Sequence, residues 1–203
     1  MPKEQIDVSK AHRLLNAGPM VLVTAQAKGR FNIHATPWAR PLSLRPPLVG
    51  VTLPPTRLTH DLIKRGGEFV LNVPSADLAK QVQQISAVSG HDVDKLQATG
   101  LHIAEPKVVG VPLLAECVGH LECGLLDAYE IGDHTLFVGE ILVAWVERGT
   151  FDEVWRLEER ELKPLHYLGG PYYAVLEAGF QPGERPAAHE SGGERPGAKE
   201  RET

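Results

Sequence analysis

The chain reads as a mainly β protein with flanking helices, built around an antiparallel barrel. Short apolar runs bounded by Gly or Pro outnumber helical patterns. No alternating strand–helix repeat signals a doubly wound sheet, and no Gly-x-Gly-x-x-Gly follows a strand. The longest run, His134 to Val146, is apolar on both faces: Leu136, Val138 and Leu142 face one way, Phe137, Ile141, Val143 and Trp145 the other. Such a strand sees little water on either side, as in a closed barrel whose outer surface is covered by a helix or a second subunit.

The elements follow in order. Met20 to Ala25 is a short apolar strand, Lys28-Gly29 a turn, and Phe31 to Trp38 the returning strand of a hairpin. Thr36, Trp38, Arg40 and Ser43 lie on or after that strand, and Pro46-Pro47 leads into another from Leu48 to Leu53. Beyond Pro54-Pro55, Thr59 is placed to cap a short helix through His60 to Arg65, which Gly66-Gly67 stops. Glu68 to Val73 is a further strand. Ser75 is placed to cap a helix from Ala76 to about Val88, with Leu78, Val82 and Ile85 as its apolar stripe. Leu121 to Ile131 and His134 to Val146 flank Gly132-Asp133, a second hairpin signal.

Composition bounds the rest. The 203 residues are 42% hydrophobic and 23% charged, enough to bury a core without disulfides or a structural metal. Lys and Arg number 21 against 26 Asp and Glu, a formal charge of -5 that argues against a general nucleic-acid binder. No apolar run suggests a membrane span, and Met1 to Asn16 lacks the apolar centre of a signal peptide, so a cytoplasmic protein is expected. Cys117 and Cys123 lie in what reads as extended chain, where their spacing amounts to about 20 Å, too far to bridge; two buried, reduced thiols are expected. Residues 181–203 hold no Leu, Ile, Val, Met, Phe, Tyr or Trp and repeat Gly-Glu-Arg-Pro at 183 and 193. That composition predicts a disordered tail behind one folded domain over residues 1–180.

The stretch from Asn32 to Val73 carries the chemistry. Thr56, Arg57 and Thr59 stand where a helix begins, and first-turn amides with their partial positive charge favour an anion. A guanidinium and a hydroxyl there match a phosphate monoester. The plain alternative is an N-cap at Thr59 and a solvated charge at Arg57.

The order of motifs resembles the flavin reductase-like family of FMN-binding split barrels, which includes the flavoredoxins. The matching segments are Asn32-Ile33-His34-Ala35-Thr36-Pro37-Trp38, Arg45-Pro46-Pro47-Leu48-Val49-Gly50-Val51 and Thr56-Arg57-Leu58-Thr59-His60-Asp61-Leu62-Ile63. Gly67 to Val73, Val93-Asp94-Lys95-Leu96, Leu121-Glu122-Cys123, Gly132 to Glu140 and Pro164 to Gly170 continue the series. Together they cover most of residues 20–176; Leu96 stands where the family often has Phe, and the tail lies outside the pattern.

The resemblance implies a six-stranded antiparallel Greek-key split barrel, a homodimer, and FMN near the subunit interface. Arg57 and Thr59 would hold the FMN phosphate. Thr36, Trp38 and Ala39 would line the isoalloxazine and ribityl chain, with Leu53 and Pro54 giving backbone or packing. The implied activity is an NAD(P)H-dependent flavin reductase, with NADH or NADPH passing hydride to the flavin and a monooxygenase or redox protein as possible partner. The alternative is a non-enzymatic electron carrier. His134 resembles a family position near the flavin or nicotinamide; otherwise it is a strand-start histidine satisfied by Asp133. Lys95 has two readings, a helper in holding an anionic substrate or, the plainer one, a surface lysine on a short helix. Trp145, Trp155 and Tyr172-Tyr173 read as packing.

Other chemistries find little support. His34, His60, His91, His102, His120, His134 and His166 are scattered, without His-Glu-x-x-His or Cys-x-x-Cys, so no metal is expected. There is no Gly-x-Ser-x-Gly, and Ser89-Gly90-His91-Asp92 cannot converge as a triad, so it reads as a loop.

Overall fold

A computed structural model describes residues 5–158 and 162–182. Seven antiparallel strands form the main sheet: β2 (Val21–Ala27), β3 (Arg30–Thr36), β4 (Ala39–Leu44), β5 (Pro47–Leu53), β6 (Glu68–Val73), β9 (Gly119–Ile131) and β10 (His134–Val146), in the order β3-β2-β6-β9-β10-β5-β4. A small second sheet joins β1 (Gly18–Pro19), β11 (His166–Gly169) and β12 (Tyr172–Ala174), and β7 (Ile103–Ala104) pairs with β8 (Leu113–Leu114).

The two edge strands of the main sheet, β3 and β4, are consecutive in the chain and joined only by Pro37-Trp38. Extended chain spans at most about 11 Å over those three bonds, so the sheet has to curl until its edges nearly meet. Thr52 N–H donates to Trp38 O at 3.0 Å, tying the crossing dipeptide to β5. That is the split of the barrel. The resemblance implied six strands; the seventh is β4, which the polar and proline-rich stretch Arg40-Pro41-Leu42-Ser43 concealed. Pro41 is tolerated because β4 is an edge strand with a bulge between Pro41 and Ser43.

Alternation along β2 divides the core. Val21, Val23 and Ala25 point into the barrel with Val51, Leu53, Phe69, Leu71, Cys123 and Phe137. Leu22 points outward and packs with Met20, Ile33, Leu78, Val82, Ile85 and Leu165. Helix α1 (Leu58–Gly66) closes the barrel with Leu58, Leu62 and Ile63 and ends at Gly67, whose φ of 72° is the left-handed cap a glycine supplies cheaply. Helix α2 (Ala79–Ala87) lies on the outer face, and α3 (Lys95–Thr99) packs against α2 and β3.

Several boundaries differ from expectation. Thr59 is not a cap: α1 starts at Leu58, with Arg57 in the cap position, and Thr59 is buried within the first turn. The Ser75 side chain makes no cap bond; a 3-10 turn over Ala76–Leu78 leads into α2 instead. Cys117 precedes β9 rather than sharing its strand, and both thiols are unpaired and buried. The outer half of β10 is open on this chain: Leu142, Trp145 and Val146 are exposed. The tail expectation falls on residues outside those described, apart from Gln181 and Pro182. Among the described residues no helix is long and apolar enough to cross a membrane.

Candidate functional site

The start of α1 packs against β3, where Asn32, His34 and Thr36 share the face of the inward-pointing Ala25, Val23 and Val21, and the residues there form one polar neighbourhood. Arg57 N–H donates to Pro54 O at 3.1 Å, so the loop after β5 turns tightly into the helix. The Arg57 Nε is buried and has no hydrogen-bond partner among the described residues. A buried unpaired guanidinium nitrogen is costly, and it marks a place prepared for an acceptor. Beside it, Thr59 Oγ1 accepts from Asn32 Nδ2 at 2.8 Å, which leaves the hydroxyl hydrogen to donate outward. Of the first-turn amides of α1, His60 N–H donates to Arg57 O at 3.0 Å, and those ahead of it add donors without helical partners.

His60 anchors this turn to the barrel. Its Nε2 lies 3.0 Å from Thr135 Oγ1 and its ring meets Phe137 edge-on. Gly90, in the loop after α2, lies directly against the Asn32 amide, where any Cβ would collide with it. The segment Ser89 to Asp92 is a loop and lends this position to the site.

Basic groups converge here from separate elements. Burial pushes the His34 imidazole down to about 3, with Lys95, Arg57 and His134 adding repulsion. Lys95 is not a surface residue: it is 3% exposed, and burial followed by Arg57 pushes its amine down to about 8. The short helix α3 carries it inward between α2 and β3, something no local pattern announces.

The remaining expected residues divide between two faces. Thr36 is buried and its Oγ1 accepts the Trp38 N–H at 3.1 Å, shaping the crossing dipeptide. Trp38 is partly exposed, donates Nε1–H to Asn16 Oδ1 at 3.3 Å, and its ring lies 4.7 Å from that of His134. His134 Nδ1 is 2.7 Å from Asp133 Oδ1, the turn neighbour that its strand-start position offers it. Ala39 and Leu53 instead turn their side chains into the barrel core, leaving only their backbone for a ligand, and Pro54 is half-buried at the turn before Arg57.

Two hollows flank the site without including Arg57 or Thr59. A cavity of about 650 Å³ opens between Ala39, Val49, Leu121, Ile141, Trp145 and Trp155, at the end of the barrel away from α1. A smaller one of about 250 Å³ lies beside Ala35 and Pro37, against Gln83, Ser86, Tyr167 and Tyr173. Asn32 and His34 are polar residues of this neighbourhood to which the sequence alone assigns no role. The signal for Asn32 and His34 was their position within a strand between apolar neighbours.

The flavin reductase like domain model matches residues 13–175. The chain belongs to this family. An uncharacterized protein of Archaeoglobus fulgidus is 45% identical over 111 residues, 55% of this chain and 63% of that protein. YddH of Escherichia coli is 34% identical over 170 residues, covering 81% of this chain and 89% of that protein. A Streptomyces globisporus NADH-dependent FAD reductase is 33% identical over 104 residues, 51% of this chain and 56% of that one. Among solved structures, an FMN-binding protein of Thermus thermophilus superposes with a TM-score of 0.77 at 29% identity, over 90% of this chain and 99% of that one. A flavoredoxin of Methanosarcina acetivorans gives 0.73 at 25% identity, over 95% and 98%. The split barrel is thus the architecture of the flavin reductase-like proteins.

Proposed function

We propose that this protein binds FMN and works as an NAD(P)H-dependent flavin reductase. The observation that carries the reading is the buried, unpartnered Arg57 Nε beside the Asn32-oriented Thr59 hydroxyl at the start of α1. This donor set fits a phosphate monoester: a guanidinium, a hydroxyl and first-turn amides, with no carboxylate bonded to Arg57 among the described residues. Membership of the flavin reductase like family and the likeness to the FMN-binding Thermus protein support the same cofactor.

In this reading Arg57 and Thr59 hold the phosphate, and the backbone of Ala39, Leu53 and Pro54 with the Thr36–Trp38 crossing lines the rest. The bound flavin would supply hydride transfer between a nicotinamide and an acceptor. The protein's residues bind, orient and shield. Trp38 and His134 form one wall, and the His134–Asp133 contact fixes the ring orientation. No side chain has to act as a nucleophile. A second copy covering Trp145, Val146 and Leu176 would make a homodimer, and sedimentation at micromolar concentration checks it.

Anaerobic addition of NADH and NADPH to the FMN-loaded protein tests the activity. Rapid bleaching of the visible flavin band is the expected result. The likeness to a flavoredoxin favours a second reading, an electron carrier, for which neither nucleotide bleaches but a reduced protein donor does. Failure to take up FMN at all overturns both.

A further inference from the structure

The cavity of about 650 Å³ at the end of the barrel away from α1 is the size of a pocket for a small organic molecule, and its wall is almost wholly apolar. Val21 and Leu71 reach it from the barrel core, and Trp145, Trp155 and Phe151 add three aromatic rings. Most of its few polar groups are already engaged. The Trp145 Nε1–H donates to Glu122 Oε1 at 2.7 Å. His120 Nδ1 donates to Asn72 Oδ1 at 2.9 Å, because Asn72 Nδ2 itself donates to Leu22 O and Thr24 Oγ1 and leaves only its oxygen to accept.

Arg40 and His166 are different. Arg40 of β4 donates Nη1–H to the carbonyl of its neighbour Ala39 at 2.8 Å and forms no ion pair among the described residues. Its guanidinium lies against Gly18 of β1, where any Cβ would collide with it. His166 of β11 pairs with Pro19, the next residue of β1, and lines the same cavity. Burial holds the His166 imidazole below its usual range, a bond to the Ala17 backbone works against that, and the Arg40 charge adds to it. A cation seated beside a second basic group, with no carboxylate paired to it, favours an anion.

We propose that this cavity is a binding site of its own, apart from the start of α1, for an aromatic monocarboxylate. The carboxylate meets the exposed Arg40 guanidinium, with His166 beside it, and the flat apolar body lies inward between Leu71, Ile141 and Trp145. The charge-assisted pair orients the head, and removal of the ring from water supplies the affinity. Apolar walls suit neither the ribose nor the polyphosphate of a nucleotide. The inference does not rest on the FMN reading.

Calorimetric titration of the full chain with naphthoate, and with naphthamide as its uncharged counterpart, tests the site, with and without added FMN. Naphthoate should bind at least about tenfold tighter than naphthamide, whether or not FMN is present. Arg40→Gln should bring naphthoate down to the level of naphthamide and leave naphthamide and FMN uptake unchanged. Gly18→Ala keeps the charge but displaces the guanidinium, and should also weaken naphthoate; should it fail to fold, Arg40→Gln decides. Ala144→Phe, on the exposed part of β10 that lines the hollow, should fill it and abolish both ligands. Equal affinity for naphthoate and naphthamide, or naphthoate binding that survives Arg40→Gln or Ala144→Phe, overturns the proposal. So does naphthoate that competes with FMN, or that does not bind at all; sedimentation of Ala144→Phe then reads whether a second copy fills the hollow instead. Failure to take up FMN, with naphthoate still lost in Arg40→Gln, sinks the FMN reading and spares this one.

Discussion

Glu122 and Lys95 are both charged residues withdrawn from water, and the fold provides for them in opposite ways. Glu122, fully buried on β9, accepts the N–H groups of Lys107, Val108 and Val109 at 2.8–3.2 Å and the Trp145 indole at 2.7 Å. Burial works against its ionisation, but these bonds outweigh burial and hold the carboxyl below its usual range. Lys95 and Arg57 have one carbonyl between their buried nitrogens. A charge surrounded by donors is a structural rivet for the loop over residues 105–112. Charges lacking acceptors, gathered at one helix start, are consistent with an anion that comes from outside. The contrast separates architecture from proposed function without reference to any relative.

The sharpest way to break the contrast is to truncate the rivet. Glu122→Ala leaves several buried donors unsatisfied and should lower unfolding free energy by at least about 3 kcal/mol in urea denaturation. Flavin affinity, measured on the folded fraction, should change little. Arg57→Ala should do the reverse. Its FMN binding should weaken by about 1.5–3 kcal/mol by fluorescence quenching, riboflavin binding should hold, and the urea midpoint should stay or rise. A parallel loss for both ligands would remove Arg57 from the phosphate.

Acid sharpens the comparison from another side. Glu122 has a folded pKa below its unfolded 4.5, so its stabilisation is present above 4.5 and is lost as pH falls through the folded value. His34 is a base depressed from 6.5 to about 3, so the unfolded chain takes its proton first and stability falls from pH 6.5 downward. His34→Gln should therefore flatten the decline between pH 6.5 and 4.5 and leave the steeper fall below 4.5, as read by urea midpoints across pH. The smallest effect belongs to the surface. Glu130→Gln breaks the exposed pair with Lys64 at 3.6 Å and should cost less than about 0.5 kcal/mol.

How far the sequence foretold this depends on the range of the forces involved. Strands β6 and β10 and the hairpin turns at Lys28-Gly29 and Gly132-Asp133 were legible because Gly, Pro and apolar alternation act over a few residues. The stop of α1 at Gly66-Gly67 was legible for the same reason. Strand β4 was hidden because its partner β5, not its own composition, makes it a strand. Thr59 looked like a cap because a hydroxyl before an apolar run usually is one; its actual partner, Asn32, lies on another element. Lys95 looked solvated because lysines on short helices usually are, and only the packing of α3 against α2 and β3 draws it inside. Position alone leaves Arg57 between an anion site and a solvated charge, and the family resemblance is what points to the phosphate. The missing partner of Arg57 was visible only in three dimensions.

Gly90 bears on all of this through an atom it does not have. A methyl group there would press on the Asn32 amide, which is also the group that orients Thr59. Mutational drift at a loop position far from α1 in the chain is thereby coupled to the geometry of the helix start. Libraries built to alter ligand preference should keep residue 90 fixed while varying its neighbours.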